Sequence, residues 1–172
     1  MKNRRRVPAP PCDPAFKPVV FAWRDYLARV RASGGRPLRL AIEREDGLIS
    51  VFDSAFPGQD ADPEATYRMI ERTVKFLLWS RGGWRVHFQG PAEIGRRLKA
   101  EYSESGPRAF DARTMAGVYG KPFEIALHSP ATFPEAREAV RFPGGHLDGC
   151  RIGFDLGASD YKVAAVVDGR PV

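Results

Sequence analysis

Leu38-Arg39-Leu40-Ala41-Ile42-Glu43-Arg44-Glu45, then Asp46-Gly47, then Leu48-Ile49-Ser50-Val51-Phe52-Asp53-Ser54-Ala55, is the stretch that decides the fold. Two apolar-rich runs flank an Asp-Gly pair. Asp-Gly readily supplies the positive φ angles of a tight turn, so the stretch predicts a β-hairpin. Pro57-Gly58 closes the second run. A hairpin alone is marginal in water and must bury one face against something else.

The segments on either side supply that cover. Upstream, Val20, Trp23, Leu27 and Val30 recur at helical spacing, and Ser33-Gly34-Gly35 ends the helix. Downstream, Asp62 is placed to cap a helix that Pro63 and Glu64 open. Tyr67, Ile70, Val74, Leu77 and Leu78 form its apolar stripe. Arg68, Glu71, Arg72 and Lys75 form the opposite, polar face, with Glu71 and Lys75 at i,i+4 spacing. Gly82-Gly83 reads as the helix stop. Trp84, Val86 and Phe88 then alternate with Arg85, His87 and Gln89, a strand pattern. Pro91 opens a helix with Ile94, Leu98 and Tyr102 on its inner face, residues 108–119 read as helical, and Phe123 to Leu127 as a short strand.

The expected fold class is therefore α/β or α+β, a mixed β-sheet with packed helices. Residues 1–15 read as a basic, proline-rich arm and 16–128 as a small mixed domain. Residues 129–149, with Pro130, Pro134, Pro143 and Gly144-Gly145, read as a linker. Residues 150–172 read as a hairpin opening a further domain.

Composition narrows the function classes. The chain has 172 residues, 43% of them hydrophobic, enough for a real core. No run of about 18 apolar residues is present, so no membrane partner is expected. Cys12 and Cys150 match no metal spacing or disulfide framework, and a cytoplasmic location is expected. Lys2, Arg4, Arg5 and Arg6 supply four of the six net positive charges. A short basic end is usually a solvated feature, and nucleic acid is not an expected partner. Trp23, Trp79 and Trp84 read as core; His87, His128 and His146 are too scattered for a metal motif; Asp111 and Glu124 read as lone acids without a role.

The segment with chemical character is Ile152-Gly153-Phe154-Asp155-Leu156-Gly157-Ala158-Ser159-Asp160-Tyr161-Lys162-Val163-Ala164-Ala165-Val166-Val167-Asp168-Gly169. An apolar strand ends in Asp-x-Gly, turns through small residues, and returns as a second apolar strand. Gly157 suits a tight turn, and backbone N–H groups around 157–160 can cradle an anion. Ser159 adds a hydroxyl donor. Asp155 can hold a water of a Mg²⁺ ion, which keeps most of its waters and takes few carboxylates. The competing reading is an ordinary hairpin in which Asp155 caps a turn.

The segment resembles the first phosphate motif of the actin-like ATPase superfamily, and most closely that of the ROK family (repressors, open reading frames and sugar kinases). Members open their ATPase domain with an Asp-[Ile/Leu]-Gly-Gly-Thr-type turn. The resemblance implies ATP and Mg²⁺ as cofactors. Asp155 matches the Mg²⁺-associated aspartate and Gly157 the turn glycine. Ser159 matches the phosphate-contacting threonine and Lys162 the basic position after it. Asp160 lies within the turn. The chain departs from the motif at Ala158, where a second glycine is usual, and at Ser159, where threonine is usual. Phe76 to Trp84 and His146-Leu147-Asp148-Gly149-Cys150 also look like the amino-terminal extension of some bacterial ROK proteins.

The resemblance implies a carbohydrate substrate for the full-length protein. The family's second phosphate loop, adenosine-contacting segment, general-base aspartate and zinc cluster find no counterpart. The chain is thus expected to be an amino-terminal fragment, inactive alone and without catalytic residues. Val163 to Val167, apolar on both faces, predicts self-association. The alternative is a stand-alone interaction or regulatory module that binds no nucleotide. A last expectation is that residues 38–100 are a degenerate copy of an actin-like subdomain, with strand 84–89 parallel to strand 38–45.

Overall fold

The computed structural model describes residues 10–14, 16–59, 62–138 and 145–172. The chain divides after Glu138 into two compact units. Residues 1–9 and 15 of the expected arm, and 139–144 of the expected linker, lie outside the described residues.

The first unit begins with helix α1 (Val19–Ala32) and continues into β1 (Arg36–Glu43) and β2 (Ile49–Phe56). These two strands pair antiparallel, Leu40 opposite Phe52, as the Asp-Gly pair predicts. Asp46 and Gly47 both take positive φ, 55° and 67°. Asp tolerates this region and Gly enters it freely, so the pair reverses the chain with little strain.

Helix α2 (Pro63–Arg81) comes next, its first turn capped by the Asp62 side chain, which accepts from the Ala65 N–H at 3.0 Å. Strand β3 (Arg85–Gln89), α3 (Ala92–Glu101), α4 (Ala109–Tyr119) and β4 (Glu124–Leu127) complete the set. The sheet order is β2-β1-β3-β4, with β3 antiparallel to β1 and parallel to β4. Strands β2, β3 and β4 thus run one way and β1 the other.

That direction overturns the degenerate-copy expectation, which required β3 parallel to β1. Helix α2 carries the chain from β2 to β3 past the intervening β1. The parallel relation is therefore between β2 and β3, and β3 meets β1 antiparallel.

One sheet face carries the core. Leu38, Leu40, Ile42, Phe56, Val86, Phe88 and Ile125 pack in one cluster with Tyr67, Ile70, Val74 and Leu78 of α2, Ile94 and Leu98 of α3, Tyr102, and Met115 of α4. The mixed α/β class and its packed helices are as the periodicities predict. Helix α1 is rotated from its expected stripe: Tyr26 and Val30 are buried, whereas Val20 is exposed. Tyr26 donates its hydroxyl to the Ala55 carbonyl at 2.8 Å. That bond fixes the helix on the β2 side of the sheet.

The polar face of α2 is also not as the spacing predicts. Glu71 is buried and holds Arg108 at 2.6 Å rather than Lys75. Lys75 instead faces Asp111 at 3.4 Å, and Asp111 accepts from the Trp79 indole at 2.7 Å. Asp111 is therefore a buried, partnered acid joining α2 to α4. Glu124, likewise read as lone, accepts from Arg85 at 2.8 Å.

The second sheet face is polar and partly roofed by residues 128–138, within the stretch expected to be a linker. Phe133 is buried, with the Arg39 guanidinium 4.4 Å from its ring centre. Arg137 exchanges backbone hydrogen bonds with Ile49 at 2.7 and 2.9 Å. Glu138 accepts from Arg44 at 2.7 Å, and hydrogen bonds from Ser50 and Arg44 hold its carboxyl below the ordinary range.

The second unit is an antiparallel meander of β5 (Cys150–Leu156), β6 (Tyr161–Val167) and β7 (Arg170–Pro171). Its second turn, Asp168-Gly169, again has both φ angles positive. The Asp168 carboxylate accepts from the Gly149 N–H at 2.7 Å and closes the base of the hairpin.

Candidate functional site

The six residues expected to meet phosphate lie together at one end of the meander. Asp155 and Lys162 are paired across β5 and β6, and Leu156 faces Tyr161 as the last pair. Gly157, Ala158, Ser159 and Asp160 form the turn between them. The Gly157 N–H donates to the Asp160 carbonyl at 2.8 Å, closing the turn on itself. That bond takes one N–H out of the expected anion cradle and leaves the cradle to Ala158, Ser159 and Asp160. A Cβ at residue 157 would stand 2.6 Å from Asp160 Oδ1, the free end of an exposed side chain that can swing aside, and 3.1 Å from the Asp160 carbonyl oxygen.

Register separates the two faces chemically. Ile152, Phe154, Leu156, Tyr161, Val163, Ala165 and Val167 share one face, where Phe154 and Tyr161 stack with ring centres 6.0 Å apart. Asp155 and Lys162 share the other with Arg151, Gly153, Ala164 and Val166. Lys162 Nζ stands 3.9 Å from Asp155 Oδ2, with both side chains 72% exposed. An ion pair this open and long leaves both groups free to meet a ligand. One accessible carboxylate beside a glycine-closed turn fits a water-mediated Mg²⁺ contact, in which the ion keeps most of its hydration shell.

A second constellation lies in the first unit, where strand alternation left His87 on the polar side. His87 is buried. Its Nε2 is 3.0 Å from Glu43 Oε2, and its Nδ1 is 2.9 Å from His128 Nε2. Burial, the largest influence, pushes the His87 imidazole below its ordinary pKa; the hydrogen bond to Glu43 works against this. Arg85 bridges Glu43 at 3.2 Å and Glu124 at 2.8 Å. The two histidines stand 41 positions apart in sequence, and only the parallel pairing of β3 with β4 brings them together.

The carboxyl ends of β2, β3 and β4 open on two clefts of about 420 and 590 Å³ that share Arg36, Phe56, Pro91 and Glu93. Clefts at this edge are the usual ligand position in open α/β sheets. Of the two cations that line the smaller one, Arg36 lies 5.2 Å from the Phe56 ring centre, and the other is committed. Arg97 bonds Glu64 and Glu101 and lies 3.5 Å above the Tyr67 ring.

Among the described residues no three His, Cys, Asp or Glu side chains converge on one metal position, and no helix is long and apolar enough to cross a membrane. Cys12 and Cys150 are unpaired. Comparison with protein-family models, with curated proteins and with solved structures gives no match to this chain.

Proposed function

We propose that residues 150–172 are the first phosphate-binding hairpin of an actin-like, ROK-type ATPase domain. The chain is then the amino-terminal part of a cytoplasmic, ATP-dependent carbohydrate kinase or of a non-catalytic relative. One observation carries the reading. The carboxylate of Asp155 stands at the end of an apolar strand, two residues before a glycine-closed turn, with Lys162 directly opposite. The Asp168-Gly169 turn and a third strand come after it.

In this reading the N–H groups of Ala158, Ser159 and Asp160 and the Ser159 hydroxyl donate to phosphate oxygens. Lys162 supplies a positive charge, and Asp155 orients a Mg²⁺-bound water. Bound Mg²⁺ contributes by neutralising phosphate charge. Catalytic turnover requires a general base and a second phosphate loop, for which these residues offer no candidate. The stand-alone interaction module is favoured by a different observation: β5 is exposed along its whole length, as a surface for another sheet would be.

An NMR titration of the chain with Mg-ATP separates the two. The phosphate reading expects the amides of 157–160 to shift first, at millimolar ligand, and Asp155→Asn to remove the Mg²⁺ dependence of the shift. Shifts confined to Arg4–Arg6 would reflect charge attraction alone and would overturn it.

A further inference from the structure

We infer that His87 and His128 form a proton-operated latch holding the amino-terminal part of the 128–138 segment against the polar face of the first unit's sheet. Counting hydrogens assigns the donors. Glu43 Oε2 accepts from Arg85 and stands 3.0 Å from His87 Nε2, so that nitrogen carries the proton and donates. His87 Nδ1 is then a lone pair, and His128 Nε2–H donates into it across 2.9 Å.

This arrangement tolerates one added proton. If His128 takes it on Nδ1, the Nε2–H still donates to His87. If His87 takes it, His128 can present its other tautomer and accept. A second proton leaves N–H facing N–H, two cations with ring centres 5.0 Å apart, and the contact must break.

The surroundings set how readily this happens. From β1, Glu43 favours charge on His87, while Arg39 lies over Phe133 and pairs with Asp53. From β3 itself, Arg85 opposes charge, and Glu124 of β4 is engaged by Arg85. Along the segment, Arg137 and Glu138 sit farther on, Glu138 held by Arg44. Burial is the largest influence and lowers the His87 pKa from 6.5. The unfolded chain therefore binds this proton more readily than the folded one. The latch's stabilisation is complete above about pH 6.5 and is lost as the pH falls through the lower folded value.

The extent of release is defined by the other contacts that pin the segment. Phe133 and His128 meet edge-to-face, with ring centres 6.0 Å apart, so Phe133 loses this contact when the His128 ring turns away and is left with the Arg39 guanidinium over it. The paired backbone bonds between Ile49 and Arg137 hold the far end. The His128 N–H donates to the Phe88 carbonyl at 2.8 Å and keeps the near end on β3, so acid turns the His128 ring away and swings out residues 129–134 between the two anchors.

The test is NMR on the whole chain between pH 7.5 and 4.5. The His87 imidazole should titrate below its ordinary range, and release should require a second proton on the pair. As that proton binds, the Phe133 ring shifts should move toward free-peptide values, and exchange of the Thr132 N–H, which donates to Ser129, should rise at least about tenfold as a fraction of its intrinsic rate. In His128→Gln the amide still donates to His87 but no second charge can form, and the Phe133 response should vanish. A His87 titration that is indifferent to His128→Gln, an unmoved Phe133 ring, or an acid response that persists in His128→Gln would each overturn the latch.

Discussion

The two units solve the problem of an apolar β-sheet in opposite ways. In the first, Leu38, Leu40 and Ile42 of β1 are covered by helices and almost inaccessible to water. In the second, Ile152 and Phe154 carry the same alternation yet stay 76% and 61% exposed. The difference lies in the element that comes after each hairpin. The Asp46-Gly47 hairpin leads into α2, whose Ile70, Val74 and Leu78 return over the sheet. The Asp168-Gly169 turn leads into a two-residue strand. A three-stranded ribbon whose apolar side chains stay this exposed is near the limit of independent stability. Alternation thus specifies a strand and its faces, while burial depends on an element that comes back.

The sharpest way to break the comparison is a pair of truncations. Leu40→Ala removes a fully buried side chain under α2 and should cost about 2–5 kcal/mol in chemical unfolding. Phe154→Ala removes a larger side chain but should move the same transition by less than about 0.5 kcal/mol. Equal costs would mean that the apolar face of the meander is covered in solution, which would favour self-association.

A smaller effect is expected at the acid that joins α2 to α4. Asp111→Ala removes the acceptor of the Trp79 indole and the partner of Lys75. Loss of these bonds should cost about 1–3 kcal/mol, read in the same unfolding experiment. Asp111→Asn, which keeps an acceptor, should recover part of the loss. If alanine is tolerated without cost, the α2–α4 contact rests on the stacking of Trp79 on Phe110 instead.

Asp111 also marks the boundary of what is legible in the residues alone. Local signals carried the hairpins, the Asp62 cap and the apolar stripe of α2, because each depends on residues within a turn or two of one another. Partners far apart in sequence were invisible. Glu71 has the spacing of an i,i+4 pair with Lys75, yet Arg108 takes it, because α4 packs beside α2 and outcompetes the local option. His87 has the pattern of a solvated strand residue until β4 delivers His128 to it. The hairpin residues 155–162 stand out as a motif because a four-residue turn is a local event. The Gly157–Asp160 bond that narrows the anion cradle depends on turn conformation, which residue types leave open.

The smallest stability effect belongs to the residues with the largest proposed chemical role. Asp155 and Lys162 face one another across β5 and β6, at 3.9 Å and mostly in water. Exposed pairs of this length gain little attraction after screening and the ordering of two side chains. A double-mutant cycle with Asp155→Asn and Lys162→Met should therefore show no resolvable coupling in unfolding experiments. The same Asp155→Asn variant should still lose the Mg²⁺-dependent shifts at residues 157–160 in the Mg-ATP titration. That contrast is diagnostic, since a carboxylate kept for structure would show its loss in stability. One kept for a ligand shows it only when the ligand is present. If Asp155→Asn destabilises the meander and leaves the titration unchanged, Asp155 serves the turn, and the interaction-module reading takes the place of the phosphate hairpin.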